Sequence, residues 1–214
     1  MSSVNGRVEP ELAEEFPGLR LIWTEVEARV RGSSREVERR LRKLSDRYRG
    51  AGVVAMRTEP IPHAYRAFFR QVGLDPDAVR IPSEEAAVRR LLQGGFRSRG
   101  TLADALLLAL VETGVPVWAL DAGVADSSTL GIRVAVAGDV LGGDPGGGNP
   151  VAEGQLVVAD SANVHATLFS PPVTGHAPGP RTNRILLFAV GVDGVPAIHL
   201  EEALWVATDV LGNA

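Results

Sequence analysis

The chain has 214 residues, 45% hydrophobic and 22% charged, which is enough to bury a sizeable core and too apolar for a disordered chain. A net charge of −4 and a pI near 5.6 exclude the global basic footprint of a typical nucleic-acid binder and leave only local patches for such contacts. Without cysteine there are no disulfides, thiolate nucleophiles or Cys-based zinc sites; no apolar run reaches the roughly 18 residues that span a bilayer and no signal segment opens the chain, so a cytoplasmic protein is expected.

Residues 19–30 read as a strand with Leu21, Trp23 and Val26 on its buried side. Ser33 lies three residues before Glu36, the spacing of a capping box, and is expected to open a helix. Val37, Leu41, Leu44 and Tyr48 form its one apolar stripe. Its other faces are strongly basic. They form either a solvated surface with pairs such as Glu38–Arg42, or a phosphate-contacting one built on Arg35, Arg39, Arg42 and Lys43.

Residues 53–56 suggest a short strand. Pro62 suits the first turn of a helix running to Val72, with Tyr65, Phe68 and Phe69 inside and Gly73 at its end. Ser83 is expected to cap the next helix, with Glu84 and Glu85 in its first turn, Val88, Leu91 and Leu92 inward, and Gly94-Gly95 as its stop. Thr101 and Asp104 repeat the capping pattern at the head of TLADALLLALVET, a helix apolar on every side and so expected to be buried on every side. Gly114-Val115-Pro116 then turns the chain into a strand at Val117 that should lie inside the fold.

Beyond Asp121 strands dominate: residues 131–137, 155–159, 163–169 and the strongly apolar 185–190, followed by a helix over 198–211 with Leu200, Leu204, Ala207 and Leu211 on one side. Helices in the first half and strands in the second predict a single α+β domain, a mixed and mostly antiparallel sheet system with packed helices, over 15–214 after an N-terminal extension of 1–14.

The glycine-rich run 142–148 ends in Asn149-Pro150 without the lysine and hydroxyl of a phosphate loop, so it reads as a connection between strands. His63, His165, His176 and His199 fall in four separate elements with no ligand spacing, and neither a metal nor a cofactor is expected. No G-x-S-x-G elbow marks a serine nucleophile. Trp118, Asp121, Asp160, Thr182 and Asn183 remain, polar or aromatic residues on strands or at their ends that could line a pocket or simply make turns. Arg80 could hold a carboxylate through both guanidinium arms.

The run DALLLALVETGVPVWALD resembles the core of the B3/B4 domain of the bacterial phenylalanyl-tRNA synthetase β subunit, where a D-x-x-N-x-x-x-L-E-x-G-x-P-x-H-A-x-D pattern occupies a helix, hinge and strand. GIRVAVAGD, LVVAD and TNRILLF follow in the family's order, and the front half, PHAYRAFFRQVGLDPDAVRIPSEEAAVRRLLQGG, is similar to free-standing B3/B4 proteins. The resemblance covers residues 15–195. It implies an α/β editing module that hydrolyses a mischarged aminoacyl-tRNA with a positioned water. Asp104, Glu112, Gly114, Pro116, Ala119, Asp121, Asp160, Thr182 and Asn183 fall on the pattern. Leu107 replaces the pattern's asparagine, Trp118 replaces its pocket histidine, and residues 171–180 stand where a G-G-E segment would be. Two functions therefore present themselves: a tRNA-binding and deacylating B3/B4 protein, and a non-catalytic binding domain for an amino-acid-like molecule.

Overall fold

The computed structural model describes residues 2–48, 56–142 and 149–213. Among them the chain runs β1 (Val4–Asn5), β2 (Arg7–Val8), α1 (Pro10–Glu15), β3 (Arg20–Glu27), α2 (Arg35–Arg47), α3 (Pro60–Gln71), α4 (Pro82–Gln93), α5 (Thr101–Thr113), β4 (Val117–Asp121), β5 (Gly131–Val134), β6 (Val140–Leu141), β7 (Asn149–Pro150), β8 (Leu156–Ala159), β9 (Val164–Thr167), β10 (Arg184–Gly191) and α6 (Ala197–Gly212). The architecture is α+β, with two mostly antiparallel sheets. No helix among the described residues is long and apolar enough to cross a membrane.

The first sheet has the order β1-β3-β10-β4. β10 is its centre, paired along its whole length with β3 and on the other side with β4. Seven consecutive residues from Ile185 to Gly191 are buried, the mark of a strand covered on both faces. The second sheet has the order β2-β5-β8-β9-β6-β7, with parallel pairing only at β2–β5 and β6–β9. The expected N-terminal extension links the two sheets: Val4 pairs with Trp23 in the first, and Arg7 pairs with Gly131 in the second.

α5 and α6 pack together, and α6 covers β10 and β3. The turn from α5 to β4 follows the sequence. Gly114 adopts φ 75, a left-handed conformation that favours glycine, and Thr113 Oγ1 receives the Val115 N–H at 3.1 Å. α5 is less enclosed than its composition predicts: Leu108 and Ala109 are fully buried, but Leu106 and Leu107 are half-buried and Ala103 is exposed.

Local details depart from the sequence expectations for identifiable reasons. Ser34, not Ser33, caps α2 by accepting from Val37 N, while Ser33 Oγ donates to Asp104 Oδ2 at 2.6 Å. The Asp104 carboxylate serves the loop before its helix rather than the helix end, because Ser98 Oγ and Arg99 N also donate to it. α3 opens at Pro60 and α4 at Pro82, so Pro62 and Ser83 sit inside their helices. Leu91 and Leu92 of α4 face outward, at 45% and 83% exposed. The strand expected over residues 53–56 lies outside the described residues except for Met56, which is buried.

α3 and α4 are tied by buried charge. Arg66 Nη1 donates to Glu84 Oε1 at 2.8 Å and its Nη2 to Asp77 at 2.8 Å, while Arg57 reaches the same Glu84 oxygen at 3.1 Å. Glu84 Oε2 is buried without a hydrogen bond.

Candidate functional site

Trp118 of β4 lies within the core, stacked on Phe188 of β10 with ring centroids 5.7 Å apart. Its other neighbour is Phe169, at 6.0 Å, which also meets Tyr65, Phe68 and Phe69. Phe169 has φ 64, and among the described residues no other non-glycine residue has positive φ. That conformation is sterically unfavourable for an aromatic residue and persists only where the surroundings fix it. The aromatic contacts and the turn Ser170 N→Thr167 O (3.0 Å) fix it here.

On the far side of Phe169 is an open cleft of about 380 Å³, between α1, α3, β5 and β8. Leu12, Phe16, Phe68, Val134, Leu156 and Phe169 form its walls, and Glu15, Gln71 and Gln155 stand among its polar lining residues. Glu15, Gln71 and Gln155 are exposed, which places them at the rim. The aromatic floor is rigid because Phe16 and Phe68 meet edge to face at 5.3 Å. A larger cavity of about 710 Å³ is lined by Pro60, Ser83, Glu112 and His199; Tyr48 and Met56, which flank the undescribed residues 49–55, also line it.

Behind the cleft the segment after β9 is latched by a polar cluster. His165 and His176 face each other with Nδ1 to Nδ1 at 2.8 Å, and His165 Nε2 lies 3.0 Å from Asp160 Oδ2. Geometry fixes the protons. Nε2–H of His165 must donate to the carboxylate, so a neutral His165 has a bare Nδ1, and His176 must donate Nδ1–H to it. A second proton on His165 would sit on Nδ1, and His176 would have to carry its own proton on Nε2 to accept from it. Burial holds the His165 imidazole below its ordinary value, with the Asp160 carboxylate pulling the other way. Burial alone would raise the Asp160 carboxyl, but the N–H groups of Asp126, Ala162 and Asn163 outweigh it and hold it below the usual range. The loop is also pinned by Val173 N→His165 O (2.9 Å) and Asp121 N→His176 O (2.8 Å). Thr182 Oγ1 donates to Asp121 Oδ2, which closes the cluster against β4.

Of the residues singled out in the sequence, Asp121, Thr182 and Asp160 come together around these two histidines, each already hydrogen-bonded within the chain. Trp118 is near them on the same strand as Asp121 but belongs to the aromatic core. Asn183 is exposed, and its carbonyl accepts from Ala28 N. Arg80 stands apart, exposed and 3.8 Å from Glu85. Arg35, Arg39, Arg42 and Lys43 are all exposed on α2, and Arg42 meets Glu38 at 3.8 Å. The histidines lie in separate elements, as expected, but the fold brings His165 of β9 and His176 of the loop after it into contact. The two are eleven positions apart across a Pro/Gly-rich loop, so no periodicity could signal the contact. Among the described residues no group of three or more His, Asp or Glu could hold a metal ion.

The cluster predicts a pH effect on stability. Because the folded imidazole of His165 is depressed, the unfolded chain binds more protons as pH falls. Its stabilising contribution is therefore complete above the unfolded value near 6.5 and is lost as pH falls from there through the folded value. The thermal midpoint should be level above about pH 7 and decline towards pH 5.5. In His165→Gln that decline should flatten, and an unchanged slope would reject the assignment.

A scan against protein-family models and a search of curated proteins give no match to this chain.

Proposed function

We propose that the chain is a binding domain of the B3/B4 type. Its aromatic cleft would take the apolar side chain of an amine-bearing ligand whose carboxyl group is blocked as an ester or amide. One observation supports this most: the cleft has apolar walls and a carboxylate at its rim, and none of its described lining residues is a cation. An ammonium group gains from Glu15. A free carboxylate would lose water there with no guanidinium or ammonium to replace it, and would sit near a like charge. An aminoacyl ester fits those demands, and a free amino acid does not. A cleft of about 380 Å³ lies within the range of small-molecule sites. Its described lining holds no Ser, Thr or His, which favours binding over covalent catalysis.

Thermal denaturation with amino-acid methyl esters, and with the matching free acids, tests this. At 100 times its Kd a ligand stabilises by about 2.7 kcal/mol, which for a chain of this size raises the midpoint by roughly 5–10 °C. Esters of leucine or phenylalanine should give that rise and the free acids should not. Equal shifts, or none, reject the proposal.

A second reading is favoured by the exposed Arg35, Arg39, Arg42 and Lys43 on α2: the ester is carried on a tRNA whose phosphates meet that helix. Replacing Arg35, Arg39 and Lys43 with Ala should then weaken tRNA binding and lower its salt dependence. No binding tighter than about 100 µM at low salt rules this reading out, since even non-specific association is usually stronger.

A further inference from the structure

We infer that a second site, unconnected with the apolar cleft, binds a phosphoryl group between the C-terminal half of α4 and the loop leading into α5. There a small cleft of about 80 Å³ is lined by Arg89, Arg90, Arg97 and Arg99. Four arginines lining one small cleft are unexpected in a chain of net charge −4. Like charges gathered this closely repel one another, and an anion between them removes that cost.

The surroundings leave these charges available. Among the described lining residues Asp104 is the one carboxylate, and it is buried and already engaged by Ser33 Oγ, Ser98 Oγ and Arg99 N. Glu85 approaches Arg89 only at 3.6 Å with both groups exposed, a weak pair that an anion can displace. Arg97 and Arg99 are exposed and have no ion pair among the described residues. Arg90 is positioned from behind: its Nε and Nη2 donate to the Ser45 carbonyl at 3.1 and 2.7 Å, which leaves Nη1 for a ligand.

The base of the site is rigid. Ser45 Oγ accepts from Phe96 N at 2.7 Å, and Gly94, at φ 72, closes α4 immediately before the loop. At about 80 Å³ the cleft has room for one tetrahedral oxyanion. Planar guanidinium forks favour paired oxygens of the kind a phosphoryl group presents.

The test is titration with inorganic phosphate, a nucleoside monophosphate and a short RNA hairpin, each at matched ionic strength in chloride, followed by thermal midpoint and calorimetry. Phosphate should raise the midpoint of the wild-type chain. In Arg97→Ala/Arg99→Ala the phosphate affinity should fall at least about tenfold, as expected on losing charged hydrogen bonds. The double variant R29A/R70A removes the same charge from exposed positions elsewhere and should bind phosphate as the wild type does. If the monophosphate binds best, the site serves a small phosphorylated ligand. If the hairpin binds best and phosphate competes with it, the site holds a backbone phosphate. Equal losses in both double variants, or no response to any probe beyond that to chloride, overturn the site. Both altered pairs are exposed, so a folded variant is expected in each case.

Discussion

Glu84→Ala is expected to destabilise the chain by about 3–5 kcal/mol, because it removes the buried one of the two carboxylates that pair with the Arg66 guanidinium. Side-chain exposure is only 8% for Arg66 and 4% for Glu84, so water cannot replace what is lost. Asp77 remains on Arg66, but it is largely exposed and cannot neutralise the inner arm. The pair is not itself evidence of large net stability, since two charges taken from water cost much of what their attraction returns. Arg66→Met/Glu84→Met should therefore cost less than Glu84→Ala alone. Chemical denaturation of the three proteins checks this, and a double variant as damaged as the single one would contradict it.

Trp118→His is expected to lower stability by about 2–4 kcal/mol. The substitution places in this chain the residue type found at that position of the pattern it resembles. The indole is 8% exposed and stacked on Phe188, so a smaller polar ring leaves a void and needs a hydrogen-bond partner among apolar neighbours. It also removes a wall behind Phe169, whose unfavourable backbone angle depends on packing. Phe169 should then relax, and the cleft it lines should bind more weakly. A variant that melts with the wild type would show that the aromatic stack does not hold the cleft.

The parts of the fold that are periodic were readable from sequence. β10 shows as an unbroken apolar run, α2 as a stripe of Val37, Leu41 and Leu44, and the α5–β4 turn as a glycine and a proline at the right places. The start of α4 is displaced because Pro82 takes the first helical position and leaves Ser83 inside the helix. The outward Leu91 and Leu92 were misread because the C-terminal end of α4 turns its apolar residues away from the core and its arginines towards the loop before α5.

The cleft itself could not be read ahead of the structure. Leu12, Phe68 and the pair Leu156 and Phe169 come from three stretches far apart in the chain, and Leu12 lies in the segment that reads as an N-terminal extension. Asp121, Asp160 and Thr182 were conspicuous as polar residues beside apolar strands. Their partners, two histidines folded together by a loop, had no local signature.

Calorimetric titration of phenylalanine methyl ester and of phenylalanine into the wild type, Glu15→Gln and Leu156→Trp most directly tests the central claim that the cleft selects an amine with a blocked carboxyl group. The ester should bind and the free acid should bind at least about tenfold more weakly, the consequence of an unpaired carboxylate. Glu15→Gln should weaken the ester about two- to fivefold, as for a rim ion pair, without changing stability. Leu156→Trp, which fills the cleft, should abolish binding. Equal affinity for ester and acid, or ester binding that survives Leu156→Trp in the folded protein, would contradict the account.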